Sequence, residues 1–176
     1  MEKQKVKLKN GKMVTVRFLK RDDKDYLLEM FSSMSKEALK WGMPPYTKEV
    51  IERWMSNFEN LIPLVAEYEN RIVGYSAIFV YKHPRRKGGG DLGIYLHQDF
   101  HGVGLGTSMT EWLLMLAQEK GMHRITLQVV KDNRIAVRLY KKFGFKIEGK
   151  MRDAFFGEDG KYHDLLVLGK ILNENV

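Results

Sequence analysis

The residues best suited to chemistry form one run, His101-Gly102-Val103-Gly104-Leu105-Gly106-Thr107, set between an apolar stretch and a long amphipathic one. Alternate glycines let a backbone turn tightly, with no Cβ atoms in the way, and expose several N–H groups at a helix N-terminus. Such a concavity, with the helix dipole behind it, binds phosphate oxygens. Two common phosphate turns do not fit. A Walker loop ends in Gly-Lys-Ser/Thr, whereas Gly106 is followed by Thr107-Ser108. A dinucleotide fingerprint beginning at Gly102 needs its third glycine where Thr107 stands, and it belongs in the first strand–helix–strand unit of its fold. Candidate proton acceptors are Asp91, at the start of a strand-like run, then Glu67, two residues before a hairpin turn, with His97, His83 and Glu148 as further choices. His97 and His101 are too isolated to suggest zinc. The chain has no cysteine, which removes disulfides, thiolate metal sites and transfer through an acyl-cysteine.

The elements that must position these groups alternate between strand and helix. Met13 to Leu19 alternates as a strand, and Asp22 and Asp23 can cap a helix carrying Tyr26, Leu27, Met30 and Phe31. Pro44-Pro45 breaks the chain, and Thr47 can cap a helix carrying Val50, Ile51, Trp54, Met55 and Phe58. Pro63 to Tyr68 and Arg71 to Tyr81 form a hairpin through Glu69-Asn70, and Asp91 to His97 is a third strand of this meander. Gly104 to Lys120 is a long helix stopped by Gly121. Ile125 to Val130 is a strand and Asn133 to Lys142 a helix. Lys146 to Met151 and Leu165 to Leu172 close the chain as strands, linked through Gly157-Glu158-Asp159-Gly160. The order is β-α-α-β-β-β-α-β-α-β-β, an α/β (α+β) fold, with residues 1–176 reading as a single domain.

Composition bounds the partners. At 176 residues the chain can bury a sizeable core, and it has no apolar run able to span a bilayer and no signal-peptide core after its first residues, so a cytoplasmic location is expected. The net charge of +8 favours anionic partners. The one dense basic cluster, Lys82 to Lys87, runs into Gly88-Gly89-Gly90 as a loop, and no basic stripe with interleaved aromatics points to nucleic acid.

The segment Asn133-Arg134-Ile135-Ala136-Val137-Arg138-Leu139-Tyr140-Lys141-Lys142-Phe143-Gly144-Phe145 narrows the reading. With the glycine turn, it resembles the GNAT superfamily of acetyl-CoA-dependent N-acetyltransferases. The family signature Asn-x-x-Ala-x-x-Leu-Tyr-x-x-x-Gly-Phe is matched at every position. The turn signature Arg/Gln-x-x-Gly-x-Gly/Ala is matched at Gly104 and Gly106 and departs at His101. The closing stretch Gly149 to Asp164 is similar to members that acetylate protein N-termini, including those of ribosomal proteins, and to amine or antibiotic acetyltransferases.

The resemblance implies a mixed sheet with strands splayed at the cofactor site, and direct transfer of acetyl from acetyl-CoA to a primary amine in a ternary complex. It implies a pyrophosphate cradle from His101 through Thr107 (Gly102, Val103, Gly104, Leu105 and Gly106 included). It also implies a pantetheine track along Asp91–His97 at Tyr95 and Leu96, with an amide near Leu96 directed at the thioester oxygen. Asn133 is implied as a pantetheine ligand, besides its reading as a helix N-cap. Tyr140 is implied as the general acid, against a reading as simple packing on the sheet. Asp91 and then Glu67 are the expected bases, and no metal is expected. Trp41, Met43, Pro44, Pro45 and Tyr46 read either as an acceptor wall or as core cover. Phe155-Phe156 reads as a wall, a homodimer contact or ordinary packing. The acceptor is left open among a protein N-terminus, a polyamine, an amino acid and an amine drug. A non-catalytic acyl-CoA-binding protein of the same fold is the alternative function.

Overall fold

A computed structural model describes residues 3–172. One eight-stranded sheet runs through the molecule in the order β1-β2-β3-β4-β5-β6-β8-β7. Its strands are β1 (Lys3–Lys7), β2 (Met13–Phe18), β3 (Leu61–Tyr68), β4 (Arg71–Val80), β5 (Gly89–Leu96), β6 (Arg124–Val130), β7 (Lys146–Phe156) and β8 (Tyr162–Ile171). The helices are α1 (Lys24–Ser33), the one-turn α2 (Lys36–Leu39), α3 (Lys48–Ser56), α4 (Leu105–Glu119) and α5 (Arg134–Lys142). All neighbouring strands pair antiparallel except β5 and β6, which are parallel. A parallel step needs a crossover, and α4 supplies it.

The sheet separates two cores. On one face α4 buries Met109, Trp112, Leu113 and Leu116 against Ile62, Leu64, Ile78 and Ile125, and Tyr140 and Phe145 join the same cluster. On the other face α1 and α3 bury Leu27, Met30, Phe31, Ile51 and Met55 against Val65, Tyr75 and Ala77. The alternation of β3 and β4 sends successive side chains to the two cores, and both strands are buried through their centres.

The mixed α/β architecture matches the sequence reading, with local corrections. Strand β1 and helix α2 are additional. In β1 the side chains of Lys3, Lys5 and Lys7 are exposed and Val6 is its single large apolar residue, so its periodicity carries little hydrophobic signal. Strands β7 and β8 extend further toward their shared turn than expected. Thr47 caps α3, accepting from the Val50 amide. Asp23 does not cap α1. Its carboxylate accepts from the Lys20 amide at 2.7 Å and takes both terminal nitrogens of Arg17, at 2.6 and 2.8 Å. The guanidinium and these hydrogen bonds hold Asp23 below the usual carboxylate range, against the opposing pull of burial.

Candidate active site

The site grows from an interrupted strand pair. Strand β5 pairs with β4 from Gly90 to Leu96, but with β6 only at Gly89, Gly90 and Asp91. Beyond Asp91 the two strands part and leave a cavity of about 300 Å³ between Leu92–Tyr95 and Gln128–Val130. The His97 amide donates to the Val73 carbonyl at 2.9 Å, toward β4. Successive amides alternate in direction along a strand, so those of Leu96 and Ile94 point the other way, to the side from which β6 has parted. Among the described residues no strand pairs with that side of β5 beyond Asp91.

The glycine turn lies at the end of β5. Gly102 and Gly104 have φ of 71° and 95°, a region that glycine enters without a Cβ penalty. Gly104 is the N-cap of the 15-residue α4. Among the described residues, no group of the chain accepts from the amides of Val103, Gly104, Leu105, Gly106 or Thr107, and the first internal bond runs from Ser108 to Gly104 at 3.1 Å. A Cβ built on Gly102 meets nothing within 4 Å, so the concavity is open. Lys9 adds a cation beside the turn. Its amide donates to the Val103 carbonyl at 3.0 Å, and its side-chain carbons lie 3.9 Å from a Cβ built on Gly104. A lysine on a linker after an edge strand gives no sequence signal of that proximity. His101 has a local partner too, its Nε2 lying 2.8 Å from the Leu96 carbonyl. It thus ties the turn to the end of β5.

Helix α5 closes the opposite wall. Asn133 is its N-cap, its side-chain oxygen accepting from the Ala136 amide at 3.3 Å, and it also lines the cleft. Tyr140 lines the cleft from the same helix, 5% exposed, with Phe145 edge-on at 5.7 Å. Burial pushes its phenol well above the usual tyrosine value, so at neutral pH it carries its proton. Tyr95 reaches the cleft from β5, but its ring belongs mainly to a cluster with Phe31, Tyr46, Trp54 and Tyr75.

The proton-acceptor candidates separate. Asp91 stands where β5 and β6 part and accepts from the hydroxyls of Tyr81 and Thr126. Glu67 is not at the cleft. It lies on β3, bonded to Arg17 Nε at 2.9 Å and lining a different surface pocket. The guanidinium occupies that carboxylate, and sequence proximity to the hairpin turn did not reveal it. His97 is buried beside Gln98 and Asp99, His83 caps a short 3-10 turn, and Glu148 is ion-paired with Arg124. None of these three lines the cleft, and Asp91 lines the neighbouring cavity on the α3 face, next in sequence to the cleft residue Leu92.

The last hairpin and the α2–α3 loop cover the cleft. Trp41, Gly42, Met43 and Phe155 line it, whereas Tyr46 is core and Phe156 is 62% exposed. Behind this wall, His163 Nδ1 lies 2.8 Å from Asp132, and its Nε2 lies 3.1 Å from Asp159. Its ring is edge-on to Trp41 at 5.1 Å. The two carboxylates raise the imidazole above its usual value. Arg138, Lys141 and Lys142 are exposed on α5. Among the described residues no group of three or more histidine, cysteine, aspartate or glutamate side chains could hold a metal ion, and no helix is long and apolar enough to cross a membrane.

Comparison with known proteins agrees with this geometry. The family model described as "Acetyltransferase (GNAT) family" matches residues 27–145. The L-amino acid N-acetyltransferase AaaT of Escherichia coli K12 is 32% identical over 109 residues, which are 61% of this chain and 67% of that protein. A GNAT-family acetyltransferase from Streptococcus pneumoniae superposes with TM-score 0.78 at 26% identity, covering 91% of this chain and 99% of the other. The structure of yncA from Salmonella typhimurium with its cofactor acetyl-CoA has the same fold. Its TM-score is 0.79 at 20% identity, covering 93% of this chain and 96% of the other. The chain belongs to the GNAT family of N-acetyltransferases.

Proposed function

We propose that residues 1–176 form a single catalytic domain that transfers acetyl from acetyl-CoA directly to a primary amine. The observation that carries this reading is the parting of β5 and β6 beyond Asp91, with the unpaired amides of the turn at one end and Tyr140 and Asn133 on the facing wall. A solved fold relative holds acetyl-CoA as its cofactor, and a sequence relative is named for amino-acid acceptors.

In this reading the amides of Val103 to Thr107 bind the pyrophosphate, with His101 and Gly102 shaping the turn and Lys9 adding positive charge. The track along β5 passes Tyr95 and Leu96, and the Asn133 amide group bonds the pantetheine arm. The Leu96 amide is the donor for the thioester oxygen, a type of contact worth roughly 3 kcal/mol in transition-state stabilisation. Asp91 takes one proton from the incoming ammonium; as the C–N bond forms and the C–S bond breaks, Tyr140 gives its proton to the departing sulfur and is reprotonated by the second proton lost from the nitrogen, leaving the amide and free CoA thiol. Glu67 has no part in the reaction. The exposed apolar side chains Ile147 and Met151 on edge strand β7, with Phe156 at its tip, support a homodimer through that edge. A thermal melt with and without acetyl-CoA tests the cradle. Millimolar acetyl-CoA raises the midpoint, and an unchanged midpoint overturns it.

A further inference from the structure

A second cavity, about 370 Å³, opens on the α1/α3 face of the sheet beside the cleft. The two cavities share Leu92, Gly93 and Tyr95. The space beside Gly93 is open, since a Cβ built there meets nothing within 4 Å. The walls are aromatic. Trp54 and Tyr75 lie 14° from parallel with centroids 5.6 Å apart, and Tyr75 and Tyr95 lie 11° from parallel at 6.4 Å. Burial raises the phenols of both tyrosines, so the wall is uncharged at neutral pH. Phe79 forms part of the rim at 43% exposure and is the β4 partner of Asp91. Among the residues lining this cavity, Asp91 is the carboxylate and Arg53 the cation.

This combination selects a ligand. Parallel ring faces favour a flat apolar body stacked against them. An ammonium is attracted both by aromatic faces and by the Asp91 carboxylate. Arg53 repels a second positive charge and tolerates a carboxylate. The volume suits a small molecule with a single ring.

We propose that this cavity holds the body of the acceptor, and that the acceptor class is a primary amine on a flat apolar body, an arylalkylamine or aromatic amino acid, not a polyamine. Asp91 then sits where the amine passes Gly93 toward the cleft. The proposal rests on the acetyl-transfer reading for its chemistry but not for its binding.

The test separates the two. Phenethylamine is titrated into the full chain without acetyl-CoA, and the indole N–H resonances are followed by NMR. Trp54 reports the second cavity, Trp41 the cleft, and the core residue Trp112 serves as internal control. The expected result is a saturable shift at Trp54. With acetyl-CoA present, kcat/KM for phenethylamine exceeds that for ethylamine and for spermidine by at least about tenfold, the scale of a good ring contact. Phe79→Ala raises KM for phenethylamine without changing acetyl-CoA affinity. A shift confined to Trp41, no saturable shift, or equal kcat/KM for the three amines overturns the proposal. A Trp54 shift with no thiol release supports the pocket and sinks the transfer reading.

Discussion

Asp91 on β5 and Thr126 on β6 are the last paired residues before the two strands part, and the Thr126 hydroxyl donates to the Asp91 carboxylate. One position therefore marks where the two strands part and places on the wall of the second cavity the one carboxylate among the residues lining either cavity. Replacing Asp91 with Asn keeps a side-chain oxygen for the Tyr81 and Thr126 hydroxyls and removes the proton acceptor. Turnover at neutral pH should fall by about a hundredfold or more, the usual scale of a lost general base, with acetyl-CoA affinity unchanged. Glu67→Gln should leave turnover at the wild-type level, because Arg17 occupies that carboxylate away from the cleft. Steady-state rates of the two variants check both halves.

Tyr140 is kept protonated by burial, and a thiolate is a good leaving group that needs modest help. Tyr140→Phe should lower kcat by about tenfold, below the usual hundredfold or more of acid–base effects, while the KM for acetyl-CoA stays constant. A change confined to KM would make the hydroxyl a binding group instead.

Gly104 has φ of 95° and faces open space apart from Lys9. Gly104→Val would force a branched side chain into a left-handed backbone, at a cost of about 1–3 kcal/mol. It would also crowd the unpaired amides. Equilibrium dialysis should show acetyl-CoA binding weakened by more than tenfold, a larger loss than the stability change predicts.

His163 sits between Asp132 and Asp159, and these carboxylates raise its folded-state value above the ordinary histidine value of 6.5. A raised histidine contributes stability that is fully present below about 6.5, and that is lost as pH rises through the folded value. Lys131, Lys150, Asp153 and Asp164 line the neighbouring strands and loops, where Lys131 and Lys150 pair with Asp164. Melting midpoints taken upward from pH 6 should fall in the wild type. His163→Gln should flatten that dependence.

Leu113 is fully buried on α4 in the core beneath β3 and β4. Leu113→Ala should cost about 2–5 kcal/mol of unfolding free energy, read from urea denaturation.

The glycine turn and the Asn133–Tyr140 segment were legible because each is continuous in sequence, and each is built around positions whose backbone or spacing constrains residue type. The order of strands and helices was legible from hydrophobic period. What was hidden depends on partners distant along the chain. Glu67 reads as an available carboxylate in sequence, and only the β2–β3 pairing brings Arg17 onto it. Lys9 reaches the turn from the linker between β1 and β2, more than ninety positions away in sequence. Phe31, Tyr46, Trp54, Tyr75 and Tyr95 come from different elements and form one cluster only after the sheet is assembled. Strand β1 escaped because its alternation is carried by lysines, which read equally as a solvated segment. His101, the one departure from the family turn, is accounted for by its contact with the Leu96 carbonyl.

The central claim is acetyl transfer from acetyl-CoA to a primary amine within the β5–β6 cleft. It is tested most directly by release of free CoA thiol, with mass-spectrometric detection of the acetylated product, across a panel of arylalkylamines, amino acids, polyamines and N-terminal peptides. The account predicts amine-dependent thiol release that is stoichiometric with acetylated product and is lost in Asp91→Asn. Tight acetyl-CoA binding with no amine-dependent release on any member of the panel would contradict it and leave a binding protein.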